Sequence, residues 1–248
     1  MIAIIQARAN SGRFLNKVFA EFDGASVIKH VLATVRSADG IDKVAIAVPM
    51  QEEGKWLREQ PWARQSLCTT DAAEDDVLRR IVGVAEAFAP HSRYVIRICG
   101  DNPLIDRECL EFLVHSVKYR PRGVRWDYVG YHFDGHFAGF PVPDGFSVPA
   151  ITRPTGYFAE ACSVAALKAL DAELPARHPW REHVTAGLYE QQDRYACGWL
   201  RVPSWYYLPR VEKFTAIDTP EDLERVERYV KTRRERSASE NRVGSVKC

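Results

Sequence analysis

The chain has 248 residues, 46% of them hydrophobic, enough to bury the core of one large α/β domain. Its 34 Lys and Arg nearly balance 33 Asp and Glu, for a net charge of +1. That balance excludes a global attraction to nucleic acid or anionic lipid and leaves any anion binding to local features. The six cysteines form no C-x-x-C pair and no apolar run approaches the ~20 residues of a membrane helix. Neither a zinc site nor a membrane span is therefore expected, and a reducing cytoplasm is the simplest setting.

Ile2–Gln6 is a short apolar run that predicts a buried strand. Val27, Ile28, Val31, Leu32 and Val35 recur at helical spacing over Ser26–Val35. Lys43–Val48 is strand-like and stops at Pro49. Glu74–Phe88 predicts a helix, with Glu74, Asp75 and Asp76 at its positive end. Arg93–Cys99 predicts a strand, and Asp106–Val117 a helix capped by Asp106. Pro121–Pro154, rich in Gly, Pro and aromatics such as Trp126, Tyr128, Tyr131 and Phe146, reads as an excursion over the sheet, serving either specificity or the packing of a small lobe. Helices near Ser163–Leu174 and Arg181–Tyr189, a strand at Phe214–Ile217 and a helix from Thr219 complete the domain. The basic, Ser-rich residues 234–248 predict a disordered tail. Alternating strands and helices imply βαβ units in a mostly parallel sheet, whose ligands lie at the carboxyl ends of the strands.

Three loops at those ends carry candidate chemistry. Arg8, Arg13 and Lys17 surround a small, flexible Asn10-Ser11-Gly12 after the first strand. Such a loop can cradle a polyphosphate with backbone N–H groups and cations, although it lacks Walker A spacing and equally suits a solvated basic turn. Arg97-Ile98-Cys99-Gly100-Asp101 ends a strand with a glycine that admits a ligand and a carboxylate placed to hold Mg²⁺, or to cap a turn. Asp218-Thr219-Pro220-Glu221 reads as a helix start capped by Thr219 or Asp218, with Asp218 also available as a second metal ligand.

Together these segments resemble the cytidylyltransferases of the spore-coat-polysaccharide and acylneuraminate type, relatives of the 3-deoxy-manno-octulosonate cytidylyltransferases. Ile4-Ile5-Gln6-Ala7-Arg8, Ser11, Arg13 and Lys17 match the family opening, with Phe14-Leu15-Asn16 in place of the usual Leu-Pro-Gly. Glu74-Asp75-Asp76-Val77-Leu78, Arg97 to Asp106, Arg181-Glu182-His183-Val184-Thr185 and Asp218 to Leu223 follow in family order, covering the chain to about residue 233. Of two alignments for the acceptor motif, Pro143–Val148 and Pro154–Ser163, the second keeps the Gly, Glu and Ser spacing and runs into the expected helix.

The resemblance implies a Rossmann-like, glycosyltransferase-A-type mixed sheet flanked by helices, with residues 1–233 as one nucleotidyltransferase domain and an acceptor-side excursion at about 121–160. It implies a cytoplasmic enzyme that transfers CMP from CTP to a small anionic acceptor with Mg²⁺ as cofactor, and it allows a homodimer. Lys17, Arg13 and Asp101 would be catalytic, and Asp101 and Asp218 would hold the metal. Gln6, Ala7, Arg8, Ser11, Pro49, Asp76, Val77, Arg97 and Gly100 would join Arg13 and Lys17 around the nucleotide. Glu160, Arg181, His183 and Lys213 would meet the acceptor, although His183 is also at home as a structural histidine. A nucleotidyltransferase for another base, a silent nucleotide-binding protein and a glycosyltransferase are the rival readings. The last usually carries a D-x-D motif, where Gly100-Asp101-Asn102 stands instead.

Overall fold

A computed structural model describes residues 1–8, 13–50, 52–133, 159–202 and 216–244. Its centre is β1 (Ile2–Gln6), whose residues alternate between two apolar layers. Ala3 and Ile5 join Ile46 and Val48 of β4 (Lys43–Pro49) against α1 (Val27–Arg36) and α4 (Arg107–Lys118). Ile2 and Ile4 join Ala45 and Ala47 against α3 (Val77–Phe88) and α5 (Val164–Glu173). A strand covered by helices on both faces needs a continuous apolar run, and Ile2–Ile5 supplies it.

With β5 (Leu67–Thr70), β6 (Tyr94–Cys99), β7 (Tyr128–Phe133), β8 (Glu160–Ser163) and β9 (Cys197–Val202), the sheet has seven strands in the order β5-β4-β1-β6-β8-β7-β9. β5, β4, β1 and β6 run parallel, β8 is antiparallel to β6 and to β7, and β7 is parallel to β9. The sheet is therefore mixed, as the family resemblance implies. A two-residue hairpin, β2 (Glu21–Phe22) and β3 (Ala25–Ser26), precedes α1, and α2 (Glu52–Glu59) follows β4.

Asp106 caps α4 by accepting from the Cys109 N–H at 3.0 Å, and Ser163 caps α5 from Ala166 at 3.0 Å. The helix predicted from Glu74 starts instead at Val77. Asp76 is its N-cap, accepting from Arg79 N–H at 3.0 Å, so the preceding acids lie outside it. The helix predicted over Arg181–Tyr189 is two single turns, α6 (Pro179–Glu182) and α7 (Ala186–Tyr189), divided at His183. Of the strand predicted at Phe214–Ile217, Ala216 and Ile217 lie outside the sheet, and residues 214–215 fall beyond those described. The last helix, α8 (Pro220–Gly244), continues through residues 234–244, where a disordered tail was expected. Its Glu and Arg residues are good helix formers, and Arg234 pairs with Asp23 at the hairpin.

Of the aromatic excursion, Tyr128 and Tyr131 are buried on β7 and Trp126 packs against the core, whereas residues 134–158 lie outside the described set. Gly130 makes room for Tyr128: a Cβ there would lie 2.1 Å from the Tyr128 hydroxyl. Gly130→Ala must therefore push the buried tyrosine aside. We expect a loss of about 1–3 kcal/mol, the usual cost of overpacking a core, measured by urea denaturation. Unchanged stability would contradict this packing.

Candidate active site

Parallel pairing of β1 with β6 aligns Gln6 with Cys99, so the two strands release their chains side by side. Gly100 N–H then donates to the Gln6 carbonyl at 2.9 Å, and a Cβ at Gly100 would lie 2.8 Å from that same oxygen. Only glycine permits the approach. One residue on, the Asp101 carbonyl accepts from Ile217 N–H at 2.8 Å. Ile217 is buried with Phe22, Val27 and Val226, which anchors the neighbouring Asp218 beside Asp101. Thr219 and Asp222 cap each other: Asp222 N–H donates to Thr219 Oγ1 at 3.3 Å, and Thr219 N–H to Asp222 Oδ2 at 2.9 Å. The side chain of Asp218 is left free of capping.

Both carboxylates converge on one cation. Lys17 Nζ lies 2.6 Å from Asp101 Oδ2 and 2.8 Å from Asp218 Oδ1, with the residue only 7% exposed. Burial works against the ammonium charge, but Asp101 and then Asp218 outweigh it and hold the Lys17 pKa above its usual value. Arg13 reaches the other oxygen of Asp218 at 3.2 Å, and Arg8 pairs with Glu182 of α6 at 2.6 Å. Before Lys17, Asn16 stands at φ 58°, a left-handed conformation that asparagine tolerates better than most side chains.

These groups line a cleft of about 600 Å³ that also includes Gln6, Ala7, Val77, Arg97, Gly100 and His183. The structure thus brings eleven of the expected residues together, counting Arg8, Arg13, Lys17, Asp101 and Asp218. Ser11 and Lys213 lie outside the described residues. Pro49 is buried at the end of β4, apart from the lining.

Arg181 does not line this cleft. Its guanidinium bonds Asp76 and Asp171 at 2.9 Å and accepting carbonyls at Asp171, Leu174 and Pro175, in a separate depression. With its donors spent on the end of α5 and the start of α3, it ties two helices together. Asp76 is spent in the same way.

Glu160 stands behind the cleft wall rather than in it. It is buried and accepts from Arg97, from the Tyr128 hydroxyl at 2.9 Å and from Thr185 Oγ1 at 3.3 Å. Arg97 Nε donates onward to Gln6 Oε1 at 2.8 Å. Burial opposes the Arg97 charge, but the facing Glu160 carboxylate supports it, and its pKa is raised. Burial likewise pushes the Cys99 thiol up to about 12, so it stays protonated and is unsuited to nucleophilic attack.

Sequence reasoning missed Arg80, Trp180, Glu182, Thr185 and Tyr189, all in the lining. Glu182 and Thr185 were in a quoted motif without a role, and Arg80 lies one helical turn from Val77 on α3. Arg80 donates to the carbonyls of Ala73 and Glu74 at 3.4 and 3.3 Å, fixing the turn that leads to Val77.

Among the described residues no group of three or more His, Cys, Asp or Glu is arranged to hold a metal. Asp101 and Asp218 nevertheless fit Mg²⁺, since they already share one cation and Mg²⁺ fills most of its shell with phosphate oxygens and water.

A mixed α/β sheet with cations and carboxylates gathered in a cleft beyond the carboxyl ends of β1 and β6 has its candidate site where α/β sheets usually bind ligands. It aligns with the structure of a CMP:2-keto-3-deoxy-manno-octonic acid synthetase complexed with CTP at a TM-score of 0.66 and 17% identity, over 94% of this chain and 98% of that one. The cytidylyltransferase family model matches residues 2–136, more than half of the 248, and the chain belongs to that family. It is 30% identical over 115 residues to a 3-deoxy-manno-octulosonate cytidylyltransferase of Anaeromyxobacter sp. (strain K), a match spanning 46% of each protein. It is 25% identical to the spore coat polysaccharide biosynthesis protein SpsF of Bacillus subtilis (strain 168), over 97% of this chain and 91% of that protein. No helix among the described residues is long and apolar enough to cross a membrane.

Removing the charge of Glu160 leaves Arg97 buried and unpaired. Glu160→Gln should cost on the order of 3–5 kcal/mol in chemical denaturation. A double-mutant cycle with Arg97→Met should recover at least ~1 kcal/mol of that loss as coupling; strictly additive effects would refute the pairing.

Proposed function

We propose that the chain is a cytidylyltransferase that moves CMP from CTP to a small anionic acceptor and releases pyrophosphate. The acceptor is a keto sugar acid, or a phosphorylated or phosphonate metabolite, of surface-polysaccharide or related specialised biosynthesis. The observation that carries this reading is Lys17 between Asp101 and Asp218 in a cleft that also holds Arg8 and Arg13.

The chain's own groups divide the work by position. Arg8 and Arg13 neutralise the outer phosphates, and Gly100 keeps the strand end open to the ligand. Lys17 stabilises charge that develops at the α-phosphorus during in-line attack by the acceptor oxygen. Val77, on the turn fixed by Arg80, belongs to the cytosine side. His183 faces the cleft from the α6–α7 wall and is the acceptor-side polar group; Arg97, locked to Glu160 and Gln6, gives that side a rigid floor. Asp101 and Asp218 hold Mg²⁺, which, when bound, neutralises phosphate charge and lowers the pKa of the acceptor hydroxyl.

Pyrophosphate release should require CTP, a divalent metal and the right member of a panel of anionic acceptors. Asp101→Asn should lower turnover by more than about 100-fold with folding intact, the scale of losing a preorganised electrostatic group. Wild-type-like turnover in that variant would overturn the metal assignment. In thermal-shift ranking with Mg²⁺, CTP should stabilise the protein more than UTP, GTP or ATP; another order would overturn the choice of base.

A further inference from the structure

In the cleft each cation assigned to the triphosphate is held by a carboxylate: Arg8 by Glu182, Arg13 by Asp218, and Lys17 by Asp101 and Asp218 together. The innermost of these contacts is the informative one. Lys17 Nζ sits at 2.6 and 2.8 Å from two carboxylate oxygens, where a shared cation belongs, and it is the most buried of the three. We infer that Lys17 is the resident cation of the Asp101–Asp218 site, and that nucleotide and divalent metal enter as a linked pair. The triphosphate draws Lys17 off the carboxylates that the metal then takes. This inference rests on the reading of Asp101 and Asp218 as metal ligands.

Charge counting gives the reason. Lys17 and Arg13 carry two positive charges against the two negative charges of Asp101 and Asp218, so the inner site is already neutral. A metal arriving alone must displace an ammonium that is doubly paired, and gains little for it. A triphosphate arriving alone must pull Lys17 away and leave two adjacent carboxylates facing its own oxygens, a repulsive arrangement in a partly dehydrated cleft. Only the arrival of both leaves every charge opposed: phosphate by Lys17 and Arg13, the carboxylates by the metal. Linkage is reciprocal, so each ligand must raise the affinity for the other by the same factor.

The test is Mn²⁺ binding to the full chain without nucleotide, followed by calorimetry and by the electron paramagnetic resonance signal of free Mn²⁺. Lys17→Met should bind Mn²⁺ at least about tenfold more tightly than wild type, within the range usual for coupled sites. Adding Asp101→Asn or Asp218→Asn to that variant should abolish the gain. If these second substitutions weaken Mn²⁺ binding but Lys17→Met alone binds no more tightly than wild type, the inference falls and the metal assignment stands. If they leave Mn²⁺ binding unchanged, both fall. Should Lys17→Met not fold, amine labelling of the wild type decides the matter. Lys17 should be protected in the free protein and labelled faster when Mn²⁺ alone reaches saturation; an unchanged rate at saturation would overturn the inference.

Discussion

The register between β1 and β6 is the constraint on which the site depends. Because Gln6 lies beside Cys99, the basic loop and the Gly100-Asp101 turn leave the sheet at one edge and at one level. Gly100 then closes onto the Gln6 carbonyl, and Asp101 offers its own carbonyl to Ile217. A chain segment more than a hundred residues away is thereby pinned by a single backbone hydrogen bond and a buried isoleucine. A slip of one residue in β6 would turn Asp101 to the other face of the sheet and remove the partner of Lys17. Positioning of the carboxylates is therefore a property of the strand pairing and the Ile217 anchor rather than of the loops that carry them.

The cleft wall is stiffened by a second arrangement. Glu160 on β8 gathers Arg97 of β6, Tyr128 of β7 and Thr185 of the α6–α7 wall. Its charge is compensated and its remaining lone pairs are used, the condition under which a buried ion pair adds rigidity instead of cost. Gly130 belongs to this arrangement too, since its missing Cβ is the space the Tyr128 hydroxyl occupies. Strands β8, β7 and β9 thus contribute none of the described residues that line the cleft, yet Glu160 of β8 holds Arg97 and Thr185, which do line it.

How much of this was legible follows from how local each signal is. β1, β4, β6 and the helices α1, α4 and α5 are apolar runs or periodic patterns bounded by caps, and they lie where the pattern put them. Strands β7, β8 and β9 were not legible, because their partners are far apart in sequence and β7 lies in the stretch that reads as an excursion. The motif Arg181–Thr185 predicted one helix and several contacts at a single site, but Pro179 and the break at His183 divide it. Arg181 turns toward α3 and α5, whereas its neighbours Trp180 and Glu182, with His183 and Thr185, face the cleft. Residue type and spacing single out charged groups, whereas the direction each points depends on a turn whose geometry has no sequence period.

The loop before Lys17 shows the converse. Phe14-Leu15-Asn16 departs from the Leu-Pro-Gly usual at this point, which suggests an altered loop and, through it, an altered substrate. In the structure Asn16 adopts the left-handed backbone that glycine would supply, and its carbonyl accepts from Phe19 and Ala20 N–H at 2.8 and 3.2 Å. Asparagine is among the few residues that reach this region cheaply. That turn delivers the Lys17 ammonium between Asp101 and Asp218. Despite the change of side chains, the loop keeps a left-handed residue before Lys17 and still delivers that lysine to the cleft. Under the proposed function, acceptor choice is to be sought in the α6–α7 wall, which presents Trp180, Glu182 and His183.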